Sequence, residues 1–138
     1  MNTKKFIINS EYKNVNSVCF ITKTFCEDHF ISDGNIREIE LCLAEALNNI
    51  IKHAYKGAEN NTIEISMEIR NKQFKVILID YGIERSNLNK PTLEFDPNDI
   101  ESLPEGGMGL FIIEQLMNET NYLRDGNKNI FTMVKNIK

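Results

Sequence analysis

Three short stretches hold residues whose types and spacing could do chemistry. In "LAEALNNIIKHAYKG", residues 43–57, Glu45 and Asn49 stand one helical turn apart with adjacent side chains. A merely solvated helix face would favour Glu and Lys, whereas the pair Asn48-Asn49 is a poor mid-helix choice, because Asn competes with the backbone for hydrogen bonds. In "LIDYG", Asp80 ends an apolar strand and Gly82 follows two residues on. An acceptor-only carboxylate there can take a hydrogen bond from an exocyclic amine. The glycine lets a planar base approach the backbone. In "EGGMGLFII", Gly106, Gly107 and Gly109 open an apolar helix, where free N–H groups and the positive end of the helix dipole favour an anion. Neither GxxxxGK[ST] nor a GxGxxG turn after a strand is present. Each stretch also has a bland reading: a wet helix face, a strand-ending turn, a flexible loop.

The elements that would position these residues follow from periodicity. "KKFIIN" reads as a short strand, and Ser10 caps a predicted helix over about 11–30. "SDGN" breaks the chain, and Asn35 with Glu38 has the form of a capping box opening a second helix to about Tyr55, with Gly57 as its stop. Ile36, Ile39, Leu43, Ala46, Leu47, Ile50 and Ala54 form its apolar stripe, leaving Glu38, Glu45, Asn49 and Lys52 on the far side. "NTIEISMEIR" alternates as a half-buried strand, "NK" turns, and "QFKVILID" is a second, more central strand. Residues 81–105 then run about 25 positions with Pro91, Pro97 and Pro104 and little periodicity, a length that in a compact domain is usually functional. The part from Arg85 to Glu105 is expected to act as a mobile lid over the phosphates. A glycine-rich helix start and a hairpin turning at Asp125-Gly126-Asn127 complete the chain. The order β-α-α-β-β-loop-α-β-β predicts an α+β, two-layer sandwich: a mostly antiparallel mixed sheet with helices on one face.

Composition narrows the function. A chain of 138 residues with 41% apolar and 26% charged residues is expected to be one soluble domain over 1–138. No apolar run approaches the roughly 20 residues of a membrane span, and the N-terminus lacks a signal-peptide core. Three cysteines without CxxC spacing point to a reducing, cytoplasmic setting. A net charge of −4 argues against direct binding to nucleic acid. The acidic run "EFDPNDIESLPE", 94–105, reads as a solvated loop or as a segment that docks on a basic partner. Cys26 and His29 could make half a metal site, with no second pair evident.

A Glu/Asn helix, a strand ending in DxG, a long loop and a glycine-rich helix start, in that order, resemble the GHKL (Bergerat-type) ATP-binding superfamily. Glu45 and Asn49 match its N-box, Asp80 and Gly82 its first glycine box, and Gly107 and Gly109 its second. Within the superfamily, "AEALNNIIKHAYKG" and "PEGGMGLFIIEQLMNE" look most like the anti-sigma factor serine kinases, over nearly the whole length. The resemblance implies ATP and Mg²⁺ as cofactors and Asn49 as the protein's metal ligand. It places Asn49, His53, Asp80, Gly82, Gly107, Met108, Gly109 and Leu110 around the nucleotide, although for His53, near the helix end where the dipole favours a cation, a structural role stands beside nucleotide contact. Glu45 becomes the residue that orients, or takes the proton of, an attacking hydroxyl. Asn48 points away and is supporting. Two departures are visible. DxG is followed by Ile83 and Glu84 without a second glycine, and Glu105-Gly106 stand where many members carry an arginine. The charge on a leaving phosphate is then met by Mg²⁺, by helix amides or by a base such as Lys52, Lys56, Arg85 or Lys90.

The implied function is an ATP-dependent serine/threonine kinase and anti-sigma factor of a partner-switching system. Its implied partners are a sigma factor and a STAS-type antagonist, and family analogy suggests a homodimer. The alternative is a nucleotide-dependent binding module without significant phosphoryl transfer. A sensor histidine kinase fits less well, because no helix with a phospho-accepting histidine precedes the domain and His29 lies within its first helix.

Overall fold

The computed structural model describes residues 2–85 and 107–137. Most of the expected lid, and the acidic run within it, lie outside the described residues. In chain order the elements are β1 (Thr3–Asn9), α1 (Lys13–Asp28), α2 (Asp33–Asn49) with a π-helical turn (Ile50–Ala54), β2 (Thr62–Arg70) and β3 (Gln73–Asp80). There follow α3 (Gly107–Leu116), β4 (Glu119–Asp125) and β5 (Lys128–Asn136).

The five strands form one sheet in the order β1-β2-β3-β5-β4, with β3 at its centre. All four pairings are antiparallel, so among the described residues the sheet is not mixed as expected. Alternation explains the two layers. Ile63, Ile65 and Met67 of β2, Phe74, Val76 and Leu78 of β3, and Phe131 and Met133 of β5 alternate along their strands, are brought to one face of the sheet by the register, and are buried in the core. Against them pack Val18 and Phe25 of α1 and the stripe Ile36, Ile39, Leu43, Ala46, Leu47, Ile50 and Ala54, every member of which is buried. Burying one such aliphatic side chain contributes about 1.5–3 kcal/mol. The Asn71-Lys72 turn between β2 and β3 is a tight one, both residues having left-handed φ of 52° and 63°.

Two expected caps are corrected. Ser10 does not cap α1. Its hydroxyl donates to the Ala58 carbonyl at 2.7 Å and accepts from the Asn61 amide at 3.1 Å, tying the end of β1 to the start of β2. The cap of α2 is Ser32, whose oxygen accepts from the Asn35 amide, so the Asp33-Gly34 pair lies inside the first turn rather than breaking the chain. Glu38 is not simply solvated either. It pairs with Lys135, an inward-facing and nearly buried lysine of β5, at 2.6 Å. The same ammonium donates to the Leu116 carbonyl, so one charge fastens α2 and α3 to the sheet. Among the described residues, no helix is long and apolar enough to cross a membrane.

Candidate functional site

The C-terminal half of α2 is where the separate motifs meet. Gly109, in the first turn of α3, lies directly on Glu45: a Cβ built at Gly109 would be 2.6 Å from Glu45 Oε2. Gly82, just past β3, lies on the π turn, where a Cβ would be 2.4 Å from the Ala54 carbonyl oxygen. Between these two contacts along the helix stands Asn49, half-buried, whose side-chain oxygen has no hydrogen-bond partner among the described residues. Glu45, Asn49, Gly82 and Gly109 are therefore brought to one stretch of α2.

The π turn makes the Gly82 contact possible. Tyr55 N–H reaches back to the Ile50 carbonyl, and the Ala54 carbonyl accepts from the Ile83 amide at 3.0 Å, joining helix end to strand end. Such turns are rare and cluster at functional sites. Gly57, with φ of 80°, closes the helix as expected by donating to the Ile51 carbonyl. The two glycine contacts predict different outcomes on substitution. Gly82→Ala drives a methyl into backbone, so destabilisation of about 1–3 kcal/mol is expected in denaturant unfolding. Gly109→Ala meets only the movable end of Glu45, so the fold is expected to tolerate it while the carboxylate shifts. Equal stability of Gly82→Ala and wild type would contradict this packing.

Asp80 is fully buried and held on both oxygens. Its Oδ1 accepts from the Gly82 amide at 3.0 Å and from Asn129 Nδ2 at 2.7 Å. Its Oδ2 accepts from Arg85 Nη2 at 3.2 Å. Asn129 was not singled out from the sequence. It sits opposite Asp80 in the β3–β5 register, also donates to the Ile83 carbonyl, and accepts from Tyr122 Oη and Arg124 Nη1. Arg124 Nη1 also donates to the Gly82 carbonyl. Tyr55 holds the same strand end from the helix side, its hydroxyl donating to Thr62 O and accepting from Tyr81 N–H. Burial, more than any neighbour, raises the Tyr55 phenol above its ordinary range. A readable signal existed for Asn129: it lies on the inward parity of β5 with Phe131 and Met133, where a polar residue needs buried partners.

The remaining expected residues divide. Gly107 and Met108 begin α3, as a helix-start anion site requires. Leu110 has a buried side chain, which leaves only its backbone to face a ligand. His53 lies half-buried on the π turn. Among the alternative phosphate bases, Lys52 and Lys56 are exposed, Lys90 is outside the described residues, and Arg85 is buried against Asp80. His29 donates from Nδ1 to the Phe25 carbonyl, and Cys26 is buried, its thiol pushed up to about 12 by burial first and by Glu40 second. No group of three or more candidate metal-ligating side chains of the His/Cys/Asp/Glu type occurs among the described residues.

Comparison with known proteins gives concordant matches. Residues 8–135 match the family described as "Histidine kinase-like ATPase domain". The serine-protein kinase RsbW of Staphylococcus epidermidis is 33% identical over 114 residues, which cover 78% of this chain and 69% of that protein. In fold, the RsbU and RsbW domains of a Mycobacterium tuberculosis protein superpose with a TM-score of 0.67 at 11% identity, covering 99% of this chain and 33% of that one. The SiaB-SiaC complex of Pseudomonas aeruginosa superposes at 0.64 and 13% identity, covering 96% and 88%.

Proposed function

The chain belongs to the histidine kinase-like ATPase domain family, and from that premise we propose that it is an ATP-dependent protein serine/threonine kinase and anti-sigma factor. It holds a sigma factor in one nucleotide state and phosphorylates a STAS-type antagonist on serine or threonine. The observation that carries this reading is the convergence on α2: Gly109 against Glu45, Gly82 against Ala54, and the orphaned Asn49 oxygen between them.

Each part then has a task. Asp80 supplies a buried acceptor for the exocyclic amine of adenine. The amides opening α3 at Gly107, Met108, Gly109 and Leu110 face the phosphates. Asn49 fits Mg²⁺, because a neutral oxygen with no protein partner is the kind of single ligand this ion takes when phosphates and water complete its shell. Bound there, Mg²⁺ would neutralise phosphate charge. Glu45, one turn away, orients the antagonist's hydroxyl and takes its proton. Its carboxylate is held against the start of α3, which keeps the base next to the phosphate-binding amides.

Asp80→Asn is expected to lower ATP affinity by about 1–3 kcal/mol, since one oxygen that accepts becomes an amide that donates. A folded Asp80→Asn protein that titrates a fluorescent ATP analogue as wild type does would remove Asp80 from the site. Partner switching is tested by capture from the native cell in ADP and in ATP. Different proteins should be retained in the two states, and an identical set in both would count against the reading.

A further inference from the structure

Arg85, a candidate base for the leaving phosphate in the sequence, lies on Asp80 instead and has no task in the proposed chemistry. Five positions after Asp80, its side chain folds back and buries its guanidinium beside that carboxylate, the two side chains being 4% and 1% exposed. Tyr122 frames it: the tyrosine ring lies 5.6 Å from the guanidinium carbon, and its hydroxyl accepts from the Arg85 amide at 2.9 Å. Yet Arg85 Nε and Nη1 have no partner among the described residues. A guanidinium has five donors, and leaving them buried and unpaired is costly. Burial accordingly pulls Arg85 below its usual pKa, with the Asp80 charge opposing the shift.

The partner atom matters. Asp80 Oδ1 already accepts twice, from Gly82 and Asn129. Oδ2 is the oxygen with room for an incoming amine, and Arg85 Nη2 sits on it. A pair built only to stabilise the fold would satisfy its buried nitrogens. Here the pairing satisfies the carboxylate and leaves the arginine wanting, so the arginine is the member more readily given up to solvent.

We propose that Arg85 is an internal stand-in for the adenine amine: it closes the base site on Asp80 Oδ2 in the nucleotide-free protein and must be displaced for ATP to bind. The inference rests on reading Asp80 as the adenine acceptor. It makes Arg85 a determinant of nucleotide affinity that works by competition, because only the fraction of molecules with Arg85 withdrawn is competent to bind. The bland alternative is a structural ion pair. The opposite functional one is an arginine that stays in place and reads the base with its free nitrogens. The three differ in sign.

The test is a titration of the full chain with a fluorescent ATP analogue, for wild type, Arg85→Ala and Arg85→Met, alongside stopped-flow association and thermal unfolding. Arg85→Met keeps an unbranched stem against Tyr122 should the smaller residue compromise folding. Both folded variants are expected to bind more tightly, on the order of tenfold. Wild-type association should level off at high nucleotide as withdrawal of Arg85 limits the rate, whereas the variants' rates should rise linearly. Unchanged or weaker binding by a folded variant overturns the stand-in, as does linear association by wild type. Failure of wild type and variants alike to bind would overturn the Asp80 reading as well, which separates the two claims.

Discussion

Glu45→Ala is expected to slow phosphoryl transfer by about 10²–10⁴-fold while leaving ATP affinity close to wild type. The split follows from what Glu45 touches. Its carboxylate abuts the first turn of α3 at Gly109, where the backbone amides of the helix start would face the phosphates. A negative charge in that position repels phosphate if it acts on binding at all, so its removal does not weaken the complex. In the proposed role, what is lost is the group that would take the hydroxyl proton during transfer. The fold should persist, because the buried stripe of α2 runs along the opposite side and Glu45 is only half-buried. Binding and single-turnover transfer measured on the same preparation check the split. A parallel fall in both would instead mark Glu45 as a residue that shapes the nucleotide site.

Asn49→Ala should fail differently, losing affinity and transfer together. Its oxygen has no partner among the described residues, so truncation breaks no hydrogen bond there and no loss of stability is expected. If that oxygen is the protein's ligand to Mg²⁺, wild type should bind ATP on the order of 10- to 100-fold more tightly with Mg²⁺ than with EDTA, in line with a bond to a charged partner. Asn49→Ala should bind weakly under both conditions. Retention of the full Mg²⁺ effect in Asn49→Ala would assign the metal to other residues.

Much of this site stood in the linear sequence because it is local. The one-turn spacing of Glu45 and Asn49, the DxG at the end of β3 and the glycines opening α3 are all short-range patterns. The two-layer fold was readable for the same reason: clean alternation in β2 and an unbroken stripe in α2. What was not readable depends on partners distant in the chain. Ser10 looked like a cap, but its hydroxyl finds Ala58 and Asn61 across 48 and 51 residues. Asn129 drew no notice beside the Asp125-Gly126-Asn127 turn, yet register places it opposite Asp80 at a buried position. Arg85 looked like a base for phosphate, and the turn at Gly82 sends it to Asp80 instead. The π turn has no signature in helical periodicity at all. It becomes necessary only once the Ala54 carbonyl must meet Ile83.

The central claim, that this fold transfers phosphate rather than merely switching partners, is tested most directly by incubating wild-type protein with γ-labelled ATP, Mg²⁺ and the antagonist retained in the capture experiment. The expected result is label on a serine or threonine of the antagonist, present with wild type and suppressed with Glu45→Ala. No label from wild type under any condition, while ATP still changes which partner is held, would contradict the kinase and leave a nucleotide-dependent binding module.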